Sequence, residues 1–220
     1  MNDQHPKLDW RGDVPIARAF DDPYFSLEDG LAETRHVFLN GNGLPARFRP
    51  GFHIAELGFG TGLNALATWA AWRAAGIEGP LRFTSFEAFP MATEAMARAL
   101  SVYPELAEYA EPMVAGLAHG LEFQTSDLLL RVIKGDARQT VPQWPEKADA
   151  WFLDGFSPAK NPELWEPALL NAVAQHTSPG GTAATYSAAG AVRRAMQDAG
   201  FTVERVPGYG RKRHMTVARK

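Results

Sequence analysis

Apolar residues along this chain fall into short blocks whose period changes from one block to the next. Phe52 to Leu57 reads as a short buried strand, and Leu63 to Ala75 carries apolar residues at helical spacing until Gly76 stops it. Leu81 to Glu87, Leu128 to Ile133 and Ala150 to Leu153 read as further strands, the last ending at Asp154, with a helical stretch near Met91 to Leu100 between the first two of these. Asn161 and Pro162 form an N-cap and first-turn pair predicted to open a helix toward Gln175. Pro179-Gly180-Gly181 is predicted to turn into a fifth strand, Thr182 to Tyr186. Val192, Ala195, Met196 and Ala199 have helical spacing before Gly200, and Phe201 to Val206 and His214 to Ala218 alternate as strands. Strands separated by helices imply a mostly parallel sheet with helices on both faces. The final two strands, joined only by a Pro-Gly-rich loop, predict an antiparallel pair at its edge. The expected fold is therefore α/β, Rossmann-like, with a seven-stranded sheet.

Residues 1 to 50 break this rhythm. They hold Asp21-Asp22-Pro23-Tyr24-Phe25-Ser26 and an alternating piece, Thr34 to Leu39, ended by Asn40-Gly41-Asn42-Gly43. A small β-rich extension over 1–50, lying across the mouth of one compact unit over 51–220, is the expected organisation. The 220 residues, 45% hydrophobic and 21% charged, suffice for one sizeable core.

Composition narrows the chemistry. There is no cysteine, so disulfides, thiol nucleophiles and cysteine-ligated metal are excluded, and the six histidines show no metal-ligand spacing. No metal is expected. No apolar run reaches the length of a membrane span and the N-terminus is polar, so a cytoplasmic protein is expected. Net charge is −3, yet from Arg193 to Lys220 eight Lys or Arg face two acids. That local basic surface suits either a solvated edge or a polyanion.

Ligands of open α/β sheets bind at the carboxyl ends of the strands, where the first turn presents backbone N–H groups and a helix N-terminus. The loop Glu56-Leu57-Gly58-Phe59-Gly60-Thr61-Gly62 occupies that place. Its three glycines allow the main chain to turn tightly and approach a ligand. Glu56 would attract the ammonium of a zwitterionic ligand and repel a pyrophosphate, which favours S-adenosylmethionine over NAD. Glu87, ending the second strand, stands where such folds place an acid for ribose hydroxyls. Gly135-Asp136-Ala137 would offer an acceptor and an N–H to an adenine edge. The fourth strand delivers Asp154-Gly155-Phe156-Ser157-Pro158. Asp154 either caps the turn after that strand or accepts a hydrogen bond from an amine nucleophile, an ordinary carboxylate being too weak a base to do more.

At these residues the chain resembles a known family. The loop from Glu56 to Asn64, the run from Asp149 to Pro162, the C-terminal Gly208-Tyr209-Gly210-Arg211-Lys212-Arg213, and the N-terminal Phe20 to Ser26 and Glu33 to Leu39 are similar to the methyltransferase domain of MnmC. The resemblance implies a class I S-adenosyl-L-methionine-dependent methyltransferase that N-methylates the 5-aminomethyl group of 2-thiouridine at the tRNA wobble position. Carried over, Glu56, Gly58, Gly60, Gly62, Asn64, Glu87 and Asp136 become cofactor contacts and Asp154 the catalytic carboxylate. Tyr24, Phe25 and Phe156 become candidates for stacking on the extruded uracil ring, and Lys160, Arg211, Lys212 and Arg213 for contacts to tRNA. In that family the domain is fused to an FAD-dependent oxidase. This chain stops at Lys220, so a separate FAD-dependent oxidase or another enzyme is expected to supply the amine. The rival expectations are an enzyme of methyl or aminopropyl transfer acting on a small amine, an NAD-dependent dehydrogenase, and a non-enzymatic RNA-binding module.

Overall fold

The computed structural model describes residues 5–220. Three short strands, β1 (Leu8–Arg11), β2 (Val14–Ala17) and β3 (Asp22–Pro23), form an antiparallel meander of their own. Eight more make the main sheet: β4 (His53–Leu57), β5 (Leu81–Glu87), β6 (Glu122–Gln124), β7 (Leu128–Lys134), β8 (Ala148–Leu153), β9 (Thr177–Thr185), β10 (Thr202–Pro207) and β11 (His214–Arg219). Their spatial order is β10-β11-β9-β8-β4-β5-β7-β6. The five central strands pair in parallel, while β11 runs antiparallel between β9 and β10, as its short connection predicts. The seven expected strands are joined by an eighth, β6, antiparallel on β7 at the far edge. With three residues it is too short to show a period in the sequence.

Strands β4 and β8 are buried at every position, so they are largely apolar, and the polar His53, Glu56 and Asp149 within them are buried too. Successive side chains point to opposite faces. Ile54 and Phe152 join one core with Phe38, Leu66, Trp69, Phe83 and Met113, and Ala55, Leu57, Trp151 and Leu153 join the other with Trp144, Leu170 and Met196. Helices α1 (Gly30–Thr34), α2 (Leu63–Ala75), α3 (Thr93–Leu100) and α4 (Ala107–Leu117) contribute to the first core. Helices α5 (Ala137–Gln143), α6 (Pro167–Gln175) and α7 (Gly190–Asp198) contribute to the second. Helix α2 has the predicted bounds, ending where Gly76 adopts φ 64°.

Three local expectations are corrected. Thr34 to Leu39, which alternates like a strand, instead ends α1 and runs on as a π-helical turn, Arg35–Leu39. Leu31, Thr34 and Phe38 recur at helical spacing, and burying that stripe against the sheet, with Phe38 5.3 Å from Phe152, outweighs a short alternation. Asn161 makes no capping hydrogen bond; Pro162–Trp165 is a single 3-10 turn, and α6 starts only at Pro167. Pro179-Gly180-Gly181 lies inside β9 rather than before it, as an irregularity where the register on β8 jumps from Ala148↔Thr177 to Ala150↔Thr182.

From β4 the chain builds outward through β5 and β7, then returns to lay β8 on the other side of β4. The crevice outside the carboxyl ends of β4 and β8 is the topological switch point, where ligands of such sheets bind. Among the described residues no helix is long and apolar enough to cross a membrane, and no group of His, Asp and Glu is arranged to hold a metal ion.

Candidate active site

A cavity of about 1340 Å³ opens at this switch point. Residues from the loop after β4, the ends of β5 and β8, the N-terminal segment and the loop between β10 and β11 line it. Single-ligand pockets run to about 1000 Å³, so this one has room for a cofactor and part of a second molecule.

The glycine loop is held to its neighbours by the main chain. Gly58 N–H donates to Phe86 at 2.9 Å, and Asp154 N–H donates to Leu57 at 3.1 Å, so the ends of β4, β5 and β8 are tied into one shelf. Gly60, at φ 54°, donates its N–H to Glu87 Oε2 at 3.1 Å, while Glu87 Oε1 accepts the N–H of Phe89 at 2.9 Å. Glu87 thus shapes the loop as well as facing the cavity. Gly62 starts α2 with no side-chain cap, and it does not line the cavity; a Cβ there would collide with Met113 and Phe59. The first-turn N–H groups of α2 are left for an anionic group.

Asn64, in that first turn, links two acids. Its Nδ2 donates to Glu56 Oε1 at 2.9 Å and to Asp154 Oδ2 at 2.7 Å, and its Oδ1 accepts from the Thr34 hydroxyl at 2.8 Å. Glu56 also accepts from Ser85 Oγ at 2.7 Å. Sequence reasoning puts Glu56 on the ligand, but it is fully buried behind Asn64 and is not part of the cavity wall. Burial pushes its carboxyl well above the usual carboxylate range, with the nearby Asp154 charge acting the same way and the bonds from Ser85 and Asn64 opposing.

Asp154 does line the cavity. Burial lifts its pKa to about 7, with Glu33 adding to the shift and the Asn64 bond and Lys212 opposing it. The expectation of an ordinary, weakly basic carboxylate is therefore corrected: near neutral pH this group takes and releases a proton. Capping of the turn by its side chain is replaced by the bond from Asn64, and the Ser157 N–H after that turn goes to Asp22 at 3.0 Å.

At the mouth, Tyr24 and Phe156 pack edge to face at 5.1 Å, and Phe156 stacks on Phe20 at 4.7 Å. All three expected stacking residues thus line the cavity, and Phe25 also belongs to the core, against Tyr103. Each of three expected phosphate-binding cations is paired with an acid of the N-terminal segment. Lys160 donates to the Asp21 carbonyl and lies 3.3 Å from Asp22 Oδ1; Arg211 lies 2.8 Å from Glu28 and Lys212 2.8 Å from Glu33. Lys212 also sits 4.0 Å over the Tyr186 ring, whose hydroxyl donates to the Gly155 carbonyl at 2.7 Å. Arg213 is exposed. Asp136 is in the wall, where its carboxylate caps α5 and binds Arg138; the Arg138 hydrogen bonds hold its pKa below the usual range. Thr34, Ser85, Glu33 and Tyr186 also belong to the site, and no role is expected for them from the sequence, although Glu33 and Thr34 lie in a segment that carries the family resemblance. Their local pattern shows only Thr34 at the start of an alternating piece, Ser85 inside a strand and Tyr186 at the end of one.

The arrangement fits S-adenosylmethionine. A Cβ on Gly60 would stand 3.0 Å from Tyr24 Cδ1 and narrow the cradle, the wall presents Glu87, Asp136 and Asp154, and the start of α2 is open. That set suits a ligand with cationic sulfur and ammonium groups beside a carboxylate and a ribose.

Comparisons with known proteins agree. Residues 103–220 match the family model described as S-adenosyl-L-methionine-dependent methyltransferase. The tRNA 5-methylaminomethyl-2-thiouridine biosynthesis bifunctional protein MnmC of Chromohalobacter salexigens is 46% identical over 96% of this chain and 32% of that protein. Its Pseudomonas aeruginosa counterpart is 44% identical over 96% of this chain and 34% of that protein. The chain thus spans about a third of the length of the curated relatives it matches. The crystal structure of MNMC2 from Aquifex aeolicus superposes with a TM-score of 0.75 at 26% identity, covering 98% of this chain and 70% of that one. A methyltransferase from Pyrococcus furiosus, at TM-score 0.51 and 14% identity, shares the fold. The chain belongs to the family of S-adenosyl-L-methionine-dependent methyltransferases.

Proposed function

We propose that this protein methylates the primary amine of 5-aminomethyl-2-thiouridine at the tRNA wobble position, giving the 5-methylaminomethyl nucleoside. The observation that carries the proposal is Asp154: a carboxyl with a pKa near 7, one oxygen held by Asn64, facing a cavity with room for a nucleotide beside the cofactor. When bound, S-adenosylmethionine supplies a methyl group on a cationic sulfur. Asp154 Oδ1 faces the incoming amine, takes the proton that the nitrogen must lose as its N–C bond forms and the S–C bond breaks, and aims the lone pair. Tyr24 and Phe156 flank the uracil ring, and the cations of the mouth, Lys160, Arg211, Lys212 and Arg213, face the RNA backbone. Glu87, Asp136 and the loop Gly58 to Thr61 hold the cofactor, while Asn64, its polar atoms engaged by Glu56, Asp154 and Thr34, positions Asp154.

Transfer RNA is the proposed partner, and its cytoplasmic location is the proposed location of the protein. The amine would come from a separate FAD-dependent oxidase or another enzyme. The test is incubation with labelled S-adenosylmethionine and bulk tRNA from a strain lacking this methylation, followed by nucleoside mass analysis. Label in 5-methylaminomethyl-2-thiouridine is the expected result. Label only in added small amines would overturn it in favour of a small-amine transferase.

A further inference from the structure

We propose that Thr34 is a positioning residue for Asp154, its hydroxyl fixing the Asn64 amide so that both Nδ2 hydrogens stay on Glu56 and Asp154. The inference rests on the reading of Asp154 as the reacting carboxylate.

The geometry is a closed set of donors and acceptors. An Asn side chain has two N–H donors and one acceptor oxygen. Here the donors reach two carboxyl groups at 2.9 and 2.7 Å, and the oxygen receives the Thr34 hydroxyl at 2.8 Å. Turned over, Asn64 would aim its oxygen at two carboxyl oxygens, an arrangement that repels wherever either acid is ionised. With the orientation set by the two carboxyl groups, the Thr34 hydroxyl supplies the donor that the oxygen needs and anchors the amide there, from a side chain only 4% exposed. It is the last residue of α1, immediately before the π-helical turn Arg35–Leu39. Such widened turns often occur at functional sites.

The consequence is electrostatic. A hydrogen bond to the ionised form of an acid favours ionisation, so Asn64 holds Asp154 lower than burial alone would set it. Removing the Thr34 hydroxyl leaves Asn64 Oδ1 without its donor and frees the amide to leave Asp154. The other titratable or charged groups around Asp154 are Glu56 from β4, Glu33 from α1, Tyr186 after β9 and Lys212 from the β10–β11 loop. Thr34→Val changes none of them.

The test follows the Asp154 carboxyl directly, in the full chain with no substrate. Protein labelled with carbon-13 at the aspartate carboxyl carbons is titrated by NMR, and the Asp154 signal is assigned by its loss in Asp154→Asn. Thr34→Val should raise the midpoint by about one pH unit, the scale of one lost charge-assisted hydrogen bond, and Thr34→Ser should restore it. In single-turnover methylation, Thr34→Val should lose about tenfold near pH 6.5 and approach wild type near pH 9, with affinity for S-adenosylhomocysteine retained. An unchanged midpoint in a folded, ligand-binding Thr34→Val protein overturns the proposal, as does an equal loss of rate at every pH. If Thr34→Val does not fold, Thr34→Ala carries the same expectations. The midpoint needs no RNA, so absence of tRNA methylation by wild type would remove the proposed function and leave this measurement decisive on its own terms.

Discussion

The main chain of Gly58 runs so close to that of Asp154 that a Cβ on Gly58 would overlap the Asp154 carbonyl oxygen. With φ at 88°, Gly58 also has a backbone conformation that side-chain-bearing residues rarely adopt. The glycine loop and the proposed catalytic carboxylate are therefore seated on each other. Gly58→Ala should lower turnover and S-adenosylhomocysteine affinity together, with a stability loss of about 1–3 kcal/mol. Calorimetric titration and thermal melts read both; a variant with wild-type affinity and rate would separate the two structures.

Gly60 tests the cradle itself. Gly60→Val would abolish S-adenosylhomocysteine binding, because its Cβ alone would press on Tyr24 and the branched side chain would fill the cofactor space. Glu87→Ala removes the acceptor of the Gly60 and Phe89 N–H groups as well as a wall carboxylate. Its expected cost in affinity is about 1–3 kcal/mol. Titration calorimetry on both variants decides, and unchanged affinity in Gly60→Val would move the cofactor elsewhere.

Asp154 carries opposite consequences for rate and stability. Asp154→Asn keeps the size of the side chain but removes the proposed proton acceptor, so turnover should fall by about 10²–10⁴-fold while the cofactor still binds. Raising the pH should recover part of this, as more amine is then neutral before it enters the site. A variant within about threefold of wild type at every pH from about 6.5 to 9.5 would remove Asp154 from the chemistry.

The same carboxyl has a folded pKa of about 7 against a reference value of 3.8. Between those values the folded protein retains a proton that the unfolded chain has given up, so stability falls as pH rises from about 4 to 7 and stays lost above. Glu56, shifted in the same direction, adds to the slope. Asp154→Asn should melt higher than wild type at pH 8, by at most about 4 kcal/mol for roughly three pH units, with the gap closing near pH 4. Scanning calorimetry across that range checks the sign; a gap that does not change with pH would show that Asp154 is not held up by burial.

The basic loop divides into two kinds of cation. Arg211→Ala with Arg213→Ala should raise the Michaelis constant for tRNA and reduce its log–log salt slope by about 1.5 to 2 units, the expectation for two lost phosphate contacts. Lys212→Ala should lower turnover as well, since Lys212 sits over Tyr186 and its charge lowers the pKa of Asp154. Glu28→Gln, which frees Arg211 from its partner, should lower the Michaelis constant. Steady-state kinetics at several salt concentrations distinguishes the three; identical salt slopes throughout would mean that the loop is a solvated edge.

The sequence by itself determined the sheet, the loop and the acids at the strand ends. These features are local: a period of two or 3.6, a Gly that ends α2 at residue 76, glycines 58, 60 and 62 after a short strand, and carboxylates where β5 and β8 stop. What only the tertiary structure decided depends on contacts between distant segments. Thr34 meets Asn64 across 30 residues and Asn64 meets Asp154 across 90, and no local pattern encodes either meeting. Burial, and with it the raised pKa of Asp154 and the withdrawal of Glu56 from the cavity wall, exists only once α1 and the sheet have closed around those groups. The helical state of Thr34 to Leu39 was settled likewise, by the face that Phe38 buries on β8. So was the pairing of Lys160, Arg211 and Lys212 with acids of the N-terminal segment, because a charge run in a sequence does not state which opposite charges the fold will bring beside it.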